Sequence, residues 1–310
     1  MLGEGLKRRL KKLRRNIKRD RYLFLLASPI LIYFFIFNYL PMYGAIIAFK
    51  DFAPGETILS SQWVGIRWFR EFFHSVYFVR LIKNTFLLSA LGLLFNFPVP
   101  IIFALLLNEV QKEKLKRSVQ TISYLPHFVS LVVMVGIMSN FLSPTDGIVN
   151  NFLVRLGFEP INFLGESSWF RALYIGSGIW QSFGWNSIIY MAALTSIDPN
   201  LYEAAKIDGC NRWKEIIYIT IPGLMPTAIM LLILALGNLM NVGFEKIILM
   251  YSPATYDVAD VISTYVYRRG ILSAQYSFGS AVGLFNSIIN FTLLLTVNRI
   301  SRKVTQIGLW

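Results

Sequence analysis

Residues 216–244 read IIYITIPGLMPTAIMLLILALGNLMNVGF, a run of 29 residues that contains no Asp, Glu, Lys or Arg. A helix of about 20 apolar residues, with its rise of roughly 1.5 Å per residue, spans the hydrocarbon core of a bilayer. This run is therefore long enough to cross a membrane as a helix. Whether the rest of the chain repeats the pattern decides the fold class.

Five further runs share this length and this absence of charge. Each holds at least 25 residues, and the runs are 22–49, 84–108, 118–145, 172–197 and 270–298. We predict an all-α membrane protein with six transmembrane helices near 22–47, 84–108, 122–142, 172–194, 223–243 and 277–297. Buried helices of a large soluble protein are the alternative, which is disfavoured because such helices normally keep a polar stripe.

Basic residues in the loops predict the orientation, because Lys and Arg near the ends of a span favour the cytoplasm. With the N-terminus inside, the cytoplasmic segments hold twenty Lys and Arg, and the opposite side holds nine. Both termini and the loop 195–222 are therefore expected in the cytoplasm. The membrane domain is predicted to occupy 22–310.

The first 21 residues hold ten Lys and Arg and a repeating apolar position at Leu6, Leu10, Leu13 and Ile17. This pattern predicts a basic amphipathic helix on the cytoplasmic side, lying on anionic membrane lipid. Nucleic-acid binding is the competing interpretation of a basic run, and topogenic charge already accounts for it. We expect no nucleic-acid partner.

The sequence lacks the usual residues of catalytic and metal sites. Cys210 is the single cysteine, and His74 and His127 have no partners at metal-ligand spacing. No glycine is followed by lysine, so the phosphate-binding Walker A loop is absent. We expect no catalytic residue, no metal and no bound cofactor in this chain, and no ATP hydrolysis by it.

Polar side chains inside the predicted spans are candidates for a solute pathway, since each needs a partner or water in the bilayer. Uncharged amides beside aromatic rings suit a neutral or hydroxyl-rich solute, because an amide both donates and accepts hydrogen bonds. Hydrogen bonds between packed helices are the alternative role for each residue. By helical spacing, three sets are expected to share faces: Asn238, Asn241 and Glu245; Asn286 and Asn290; and Gln181 and Trp185.

Two other features of the sequence predict local structure. Pro98 and Pro100 remove backbone donors in the second span and are expected to kink or break it, for packing or for gating. The aromatic-rich loop 51–80 is expected to form a helix at the outer membrane interface, with sugar stacking as a second interpretation.

A polar insert, EAAKIDGCNRWKEIIYITIPG at 203–223, separates the fourth and fifth spans. Asp198 is predicted to cap a short helix with Pro199 at its first position, and Gly209 to end it. A second helix is expected to begin after Asn211 and to end at Pro222. Ala204 and Ala205 keep the first helix thin, which favours docking to another protein over a plain connecting loop.

Glu203, Ala204, Ala205, Gly209 six residues after the glutamate, and the Ile221-Pro222 pair resemble the EAA motif of ATP-binding cassette (ABC) importer permeases. The leucine usual before the proline is replaced by Ile221. Four further blocks, 41–50, 121–127, 261–267 and 298–302, resemble carbohydrate-uptake permeases of the LplB type. Within that group the sequence most resembles permeases that import alginate and other acidic oligosaccharides or polysaccharides, and the resemblance covers nearly the whole chain after residue 20.

This resemblance implies a type I importer permease in a bacterial cytoplasmic (inner) membrane. Its implied partners are a second homologous permease subunit, two cytoplasmic ABC ATPase subunits that carry ATP and Mg, an extracytoplasmic solute-binding protein and a carbohydrate substrate. It also implies that the insert couples the ATPases to the membrane helices, through Glu203, Ala204, Ala205, Asp208, Gly209 and Pro222.

Three other functions are weighed against the importer subunit. A secondary transporter would use intramembrane acids or repeated halves, and this chain offers only Glu245 at the edge of a span. A membrane enzyme or sensor lacks a catalytic constellation. An ABC permease for a solute other than sugar is not excluded by the sequence.

Overall fold

The computed structural model describes residues 19–309, which form an almost wholly helical protein. The predicted amphipathic helix over 1–21 lies outside the described residues except for its last three positions. The first half of the chain contains these helices and two short strands: α1 (Arg21–Phe34), α2 (Leu40–Met42), β1 (Lys50–Asp51), β2 (Gln62–Trp63), α3 (Arg67–Phe73), α4 (Phe78–Asn96), α5 (Pro98–Glu109), α6 (Glu113–Tyr124), α7 (Leu131–Phe141) and α8 (Ile148–Arg155).

The second half contains the two longest helices and the polar insert. Its elements are α9 (Ser167–Thr195), α10 (Pro199–Ile207), α11 (Arg212–Glu215), α12 (Ile221–Gly237), α13 (Phe244–Met250), α14 (Tyr256–Ala259), α15 (Ile262–Val266) and α16 (Tyr276–Thr305). Short 3₁₀ or π turns, over 35–39, 43–49, 125–128, 216–220, 253–255 and 267–272, extend or join several of them.

Within residues 19–309, four helices are long and apolar enough to cross a membrane. They are Arg21–Phe49, Phe78–Glu109, Arg212–Gly237 and Tyr276–Thr305, with 26 to 32 residues each. They coincide with the predicted first, second, fifth and sixth spans. The apolar runs of the sequence therefore locate these spans correctly, although some of their ends differ by two to three turns.

The predicted third span, 122–142, is wrong as a single helix. The helical segment Glu113–Phe128 meets α7 at an angle of 97°. Pro126 cannot donate a backbone hydrogen bond, and Ser130 has an extended backbone (φ −64°, ψ 151°) and caps α7 by accepting a bond from the Val133 N–H. The segment is either a broken span or a re-entrant one.

The predicted fourth span lies within α9, an uninterrupted helix of 29 residues. This helix is more polar than the four spans above, since serine, glycine and amide residues interrupt its apolar stretches. It is nevertheless central to the fold, because it packs against α4, α5, α6 and α12. Of the six predicted spans, four are thus supported by length and composition together, and the bent segment is a fifth candidate.

The prolines of the second span interrupt its hydrogen-bond ladder without ending it. α4 stops at Asn96 and α5 starts at Pro98, yet the residue between them, Phe97, keeps a right-handed helical backbone (φ −74°, ψ −45°). The two helices form one span of 32 residues. The helix is therefore not broken at the two prolines.

The aromatic loop 51–80 is less helical than predicted. β1 and β2 form a two-stranded antiparallel sheet, and only 67–73 is helical before α4. Phe72 is buried and packs edge-on against Phe78, Phe278 and Phe285. Part of the aromatic set therefore belongs to the core, while Trp63 stays exposed and stacks on Phe49.

Candidate functional site

The first helix of the polar insert begins and ends where the sequence predicts. The Asp198 carboxylate accepts a hydrogen bond of 3.0 Å from the Asn200 N–H, and Pro199 occupies the first position of α10. Gly209 has φ of +73°, and the next residue, Cys210, donates its N–H to the Ala205 carbonyl at 2.9 Å. A left-handed glycine followed by such a bond is a common way to stop a helix.

The second helix of the insert does not end at Pro222, which corrects the prediction. Asn211 caps α11 by accepting from the Lys214 N–H at 3.0 Å. The chain then widens into a π turn at 216–220, where the Ile221 N–H bonds the Ile216 carbonyl. Pro222 follows in the first turn of α12, a position where its missing N–H is tolerated. The insert and the fifth span thus form one continuous helical rod, Arg212–Gly237.

The proposed coupling residues differ in exposure. Glu203, Ala204, Asp208, Gly209 and Pro222 are exposed, whereas Ala205 is buried within the chain. Only one of the two alanines is therefore free to meet a partner.

Large apolar side chains that the motif did not point to are more prominent on the insert. Ile207 is 87% exposed and Trp213 is 74% exposed. Apolar groups exposed to this degree on a polar insert are typical of a surface that docks another protein.

Two contacts fasten the insert to the membrane helices. The Arg212 guanidinium pairs with the Glu109 carboxylate at the end of α5, with 2.9 Å between Nη1 and Oε2. The Tyr202 hydroxyl lies 3.1 Å from that of Thr220 in the π turn. The insert therefore contacts both the second and the fifth spans.

A cavity of about 440 Å³ lies between α4, α5, α9, α12 and the segment 238–243. Its wall combines leucine and proline side chains with uncharged polar ones. The polar residues are Ser89, Asn96, Tyr174, Asn186, Tyr190, Asn238 and Asn241. The cavity suits a solute that offers hydroxyl groups to amides and apolar faces to the rest of the wall.

The prediction that Asn238, Asn241 and Glu245 share one face of a helix is wrong. α12 ends at Gly237, and 238–242 is not helical. The two asparagines nevertheless both line the cavity. Glu245 lies beyond them in the first turn of α13, where it is exposed and does not line the cavity.

Asn286 and Asn290 meet Asn241 across the interface between α16 and the segment 238–243. Their amide nitrogens donate to the Asn241 Oδ1 at 2.9 and 3.0 Å, and the Asn290 Oδ1 accepts from the Met240 N–H at 2.9 Å. Asn241 in turn donates a longer bond of 3.4 Å to Asn238. The structure therefore joins four of the predicted pathway residues into one amide cluster at the cavity.

Gln181 and Trp185 lie elsewhere, at the bend of the broken third segment. The Gln181 amide donates to the Val129 carbonyl at 2.8 Å, and the Trp185 indole stacks on the His127 ring with centroids 4.6 Å apart. Neither residue lines the cavity. Their contacts support the bend, which is the interhelical role that the sequence left open.

Sequence reasoning missed several polar residues of the site. Asn96, Asn186 and Tyr174 line the cavity, and Lys246 packs behind Tyr174. Asn96 and Asn186 lie in charge-free runs, so the rule that polar groups in a span need partners could have identified them. Lys246 was counted only as a loop charge, and its burial depends on tertiary packing that the sequence pattern does not reveal.

The segment 251–275 before α16 forms a separate network of charges with α3 and α4. Asp260, which is fully buried, pairs with Arg268 at 2.7 Å and with Arg80 at 3.5 Å, and Arg269 pairs with Glu71 at 3.0 Å. Burial lowers the pKa of Arg268, but its hydrogen bonds to Asp260 and Tyr251 outweigh this and raise it above the ordinary arginine value. These arginines form ion pairs with neighbouring carboxylates of the same chain.

Comparison with known proteins adds the following findings. The family described as binding-protein-dependent transport system inner membrane component matches residues 96–306. Protein LplB of Bacillus subtilis (strain 168) is 45% identical over 294 residues, which cover 95% of this chain and 92% of LplB. The polygalacturonan/rhamnogalacturonan transport system permease protein YteP of the same strain is 42% identical over 304 residues, covering 98% of this chain and 95% of YteP.

One solved structure is similar over its whole length. It is the crystal structure of a bacterial alginate ABC transporter in complex with an alginate pentasaccharide-bound periplasmic protein. Its matching chain is 45% identical with a TM-score of 0.89, and the match covers 96% of this chain and 100% of that one.

Proposed function

The chain belongs to the family of binding-protein-dependent transport system inner membrane components, and we propose that it is the membrane subunit of an ABC importer that forms half of a pathway for a carbohydrate. Identity of 42–45% to LplB and YteP over nearly the full length supports this function. The carbohydrate is an oligosaccharide or a polysaccharide, and acidic saccharides such as alginate are included.

The observation that carries the carbohydrate assignment is the amide-lined cavity. Amides and tyrosines without a charged group bind hydroxyls in both directions, which a sugar needs and a bare ion does not. The cluster of Asn241 with Asn286 and Asn290 orders these amides, so that part of their hydrogen-bonding capacity is directed by the protein. The cavity in this single chain is one half of the pathway, and a second permease subunit supplies the other half.

The energy comes from separate ATPase subunits, which bind ATP and Mg. The exposed insert with Glu203, Ala204, Asp208 and Gly209 supports a docking role, as do the uncovered side chains of Ile207 and Trp213. The ties from the insert to the second and fifth spans support transmission of ATPase movement to the membrane helices.

We place the protein in a bacterial cytoplasmic membrane with six spans and both termini in the cytoplasm. Four apolar helices and the bent third segment support five of these crossings, and we assign the sixth to the long helix α9. The excess of Lys and Arg in the cytoplasmic segments supports the orientation. An extracytoplasmic binding protein then delivers the solute to the outer loops.

The experiment that tests this function is reconstitution of the complete importer in liposomes. ATP hydrolysis is measured with the binding protein loaded in turn with oligogalacturonate, alginate oligosaccharide, a neutral oligosaccharide, an amino acid or a peptide. Stimulation by at least one saccharide supports the proposal. Stimulation by a non-sugar ligand alone would assign the chain to a different class of ABC importer.

A further inference from the structure

Lys246 is a buried lysine beside the cavity. It lies on α13 with 7% of its surface exposed. Its Nζ donates to the Tyr174 carbonyl at 2.6 Å and stands 4.6 Å from the centroid of the Tyr174 ring. None of the ion pairs formed within residues 19–309 includes Lys246. The described chain therefore surrounds this ammonium with neutral groups.

Arg171 lies one turn before Tyr174 on α9 and is in a similar situation. Its guanidinium contacts the neutral Asn84 amide at 3.4 Å, and its Nε is buried without a hydrogen-bond partner in the described structure. Within the same described part of the chain it forms no ion pair, unlike Arg80, Arg268 and Arg269 of the charge network before α16. Neither cation pairs with a carboxylate within residues 19–309, and Lys246 contacts Tyr174, which lines the cavity.

No charged residue is found among the described residues that line the cavity. Glu245 is the carboxylate next to Lys246 in the sequence, but it is exposed and does not line the cavity. In a low-dielectric wall a charge acts over a longer range than in water, because screening is weak. The potential in the cavity is therefore expected to be positive, set by cations that lie behind its neutral surface.

An unpaired ammonium is costly to bury, and its single carbonyl partner offsets that cost only in part. A negatively charged solute in the cavity would add the missing attraction each time it passes. A neutral sugar carries no charge for the ammonium to attract.

We propose that Lys246, assisted by Arg171, is a specificity-determining residue that favours saccharides bearing carboxylates. This inference rests on the proposed function, since it concerns the solute of the same cavity. Uronate units would use the positive potential, while their hydroxyls bond the amides. Tyr174 separates Lys246 from the cavity, so Lys246 attracts the solute through its electrostatic potential and does not touch it.

The potential is measured directly with a cysteine reporter in the assembled importer. Cys210 is replaced by serine and Asn238, an exposed cavity residue, by cysteine. The rates of reaction with a negatively and a positively charged methanethiosulfonate reagent are then compared. In the Lys246→Gln variant we expect the ratio of anionic to cationic rates to fall by about fivefold, from the loss of one unit charge near the reporter.

Lys83→Gln is the matched control, because it removes the same charge from an exposed position of α4 that does not line the cavity. Its rate ratio should stay at the parent value, and Lys246→Arg should keep the ratio high. If Lys246→Gln assembles poorly, Lys246→Met replaces it, since an apolar side chain suits a buried site. An unchanged ratio without the Lys246 charge, or an equal fall in Lys83→Gln, overturns the inference.

A transport assay separates this inference from the proposed function. Uptake of alginate or galacturonate oligosaccharide is compared with uptake of its carboxyl-reduced, neutral counterpart. Lys246→Gln should lower only the former. If the parent complex imports no saccharide while the reporter ratio still depends on Lys246, the carbohydrate function fails and the positive potential stands. If the parent complex imports both the acidic and the neutral saccharide, and Lys246→Gln leaves the ratio of the two uptake rates unchanged, the specificity role fails and the carbohydrate function stands.

Discussion

Gly209 is the residue on which the shape of the insert depends most directly. Its φ of +73° lies in the left-handed region, where a β-branched residue is strained by roughly 1–2 kcal/mol. A Cβ at this position would meet no atom within 4 Å, so the strain is a matter of backbone conformation and not of collision. A substitution here therefore changes the turn between α10 and α11 and leaves the packing alone.

We expect Gly209→Val to leave membrane insertion intact and to uncouple ATP hydrolysis from uptake. Because a strain of 1.4 kcal/mol corresponds to about tenfold in an equilibrium, sugar imported per ATP should fall by about that factor. The measurement is uptake and hydrolysis in the same proteoliposomes. Gly209→Asn is the control, since asparagine adopts the left-handed conformation more readily, and normal values for both activities in the valine variant would contradict the coupling role.

Asn241 is the residue that holds the amide cluster together. Its Oδ1 accepts from both Asn286 and Asn290, so Asn241→Ala leaves two amide donors without that acceptor. Each donor left unsatisfied costs about 1–3 kcal/mol when it is buried. We expect a lower melting temperature of the purified complex and a loss of most uptake.

Asn238→Ala is the matched comparison for Asn241→Ala. Asn238 lines the same cavity and is exposed like Asn241, but its Oδ1 accepts only the longer bond from Asn241. Its replacement should therefore change the melting temperature less. Equal melting temperatures for the two variants would show that the cluster contributes no stability.

At the scale of elements, the ion pair between Arg212 and Glu109 joins the insert to the second span. Both side chains are partly exposed, so the pair contributes only about 0.2–1 kcal/mol to stability. Its consequence should lie in coupling. We expect Arg212→Glu to lower transport per ATP without lowering the melting temperature by more than a few degrees.

The charge swap Arg212→Glu with Glu109→Arg tests this interpretation, because it restores an attractive pair with its direction reversed. Coupling should recover in the double variant relative to either single variant. If the double variant is as impaired as the sum of the single ones, the pair does not transmit movement.

The elements that the sequence predicted well are those governed by local physics. Long charge-free runs located four spans, and the caps at Asp198, Gly209 and Asn211 were found as predicted. The failures share one cause, which is that composition does not reveal where a helix bends. Pro126 and Ser130 break the third segment inside an unbroken apolar run, and a π turn carries the chain past Pro222.

The sequence identified several residues of the candidate site but not their arrangement in space. Helical spacing was applied to Asn238, Asn241 and Glu245, although the helix ends at Gly237. The asparagines still meet because packing of α16 against α12 brings Asn286 and Asn290 to them. Lys246 was missed because nothing in its neighbouring sequence signals burial.

At the scale of the whole molecule, the proposed function makes the chain dependent on another protein for energy. It contains no Walker A loop, and its polar insert exposes the apolar side chains of Ile207 and Trp213. Burying such side chains against a partner contributes about 1.5–3 kcal/mol each. We therefore predict that the purified chain hydrolyses no ATP and that it co-purifies with a cytoplasmic ATPase when the two are expressed together.

The same prediction identifies the surface that holds the ATPase. Ile207→Asp or Trp213→Asp should abolish co-purification, because a carboxylate placed in an apolar contact must be desolvated. Leu115→Asp changes an exposed leucine on α6, which lies in another predicted cytoplasmic segment. This variant should still co-purify with the ATPase. Hydrolysis by the isolated chain would refute the dependence on a partner, whereas equal loss of binding in the Leu115 variant would refute only the assignment of the docking surface to the insert.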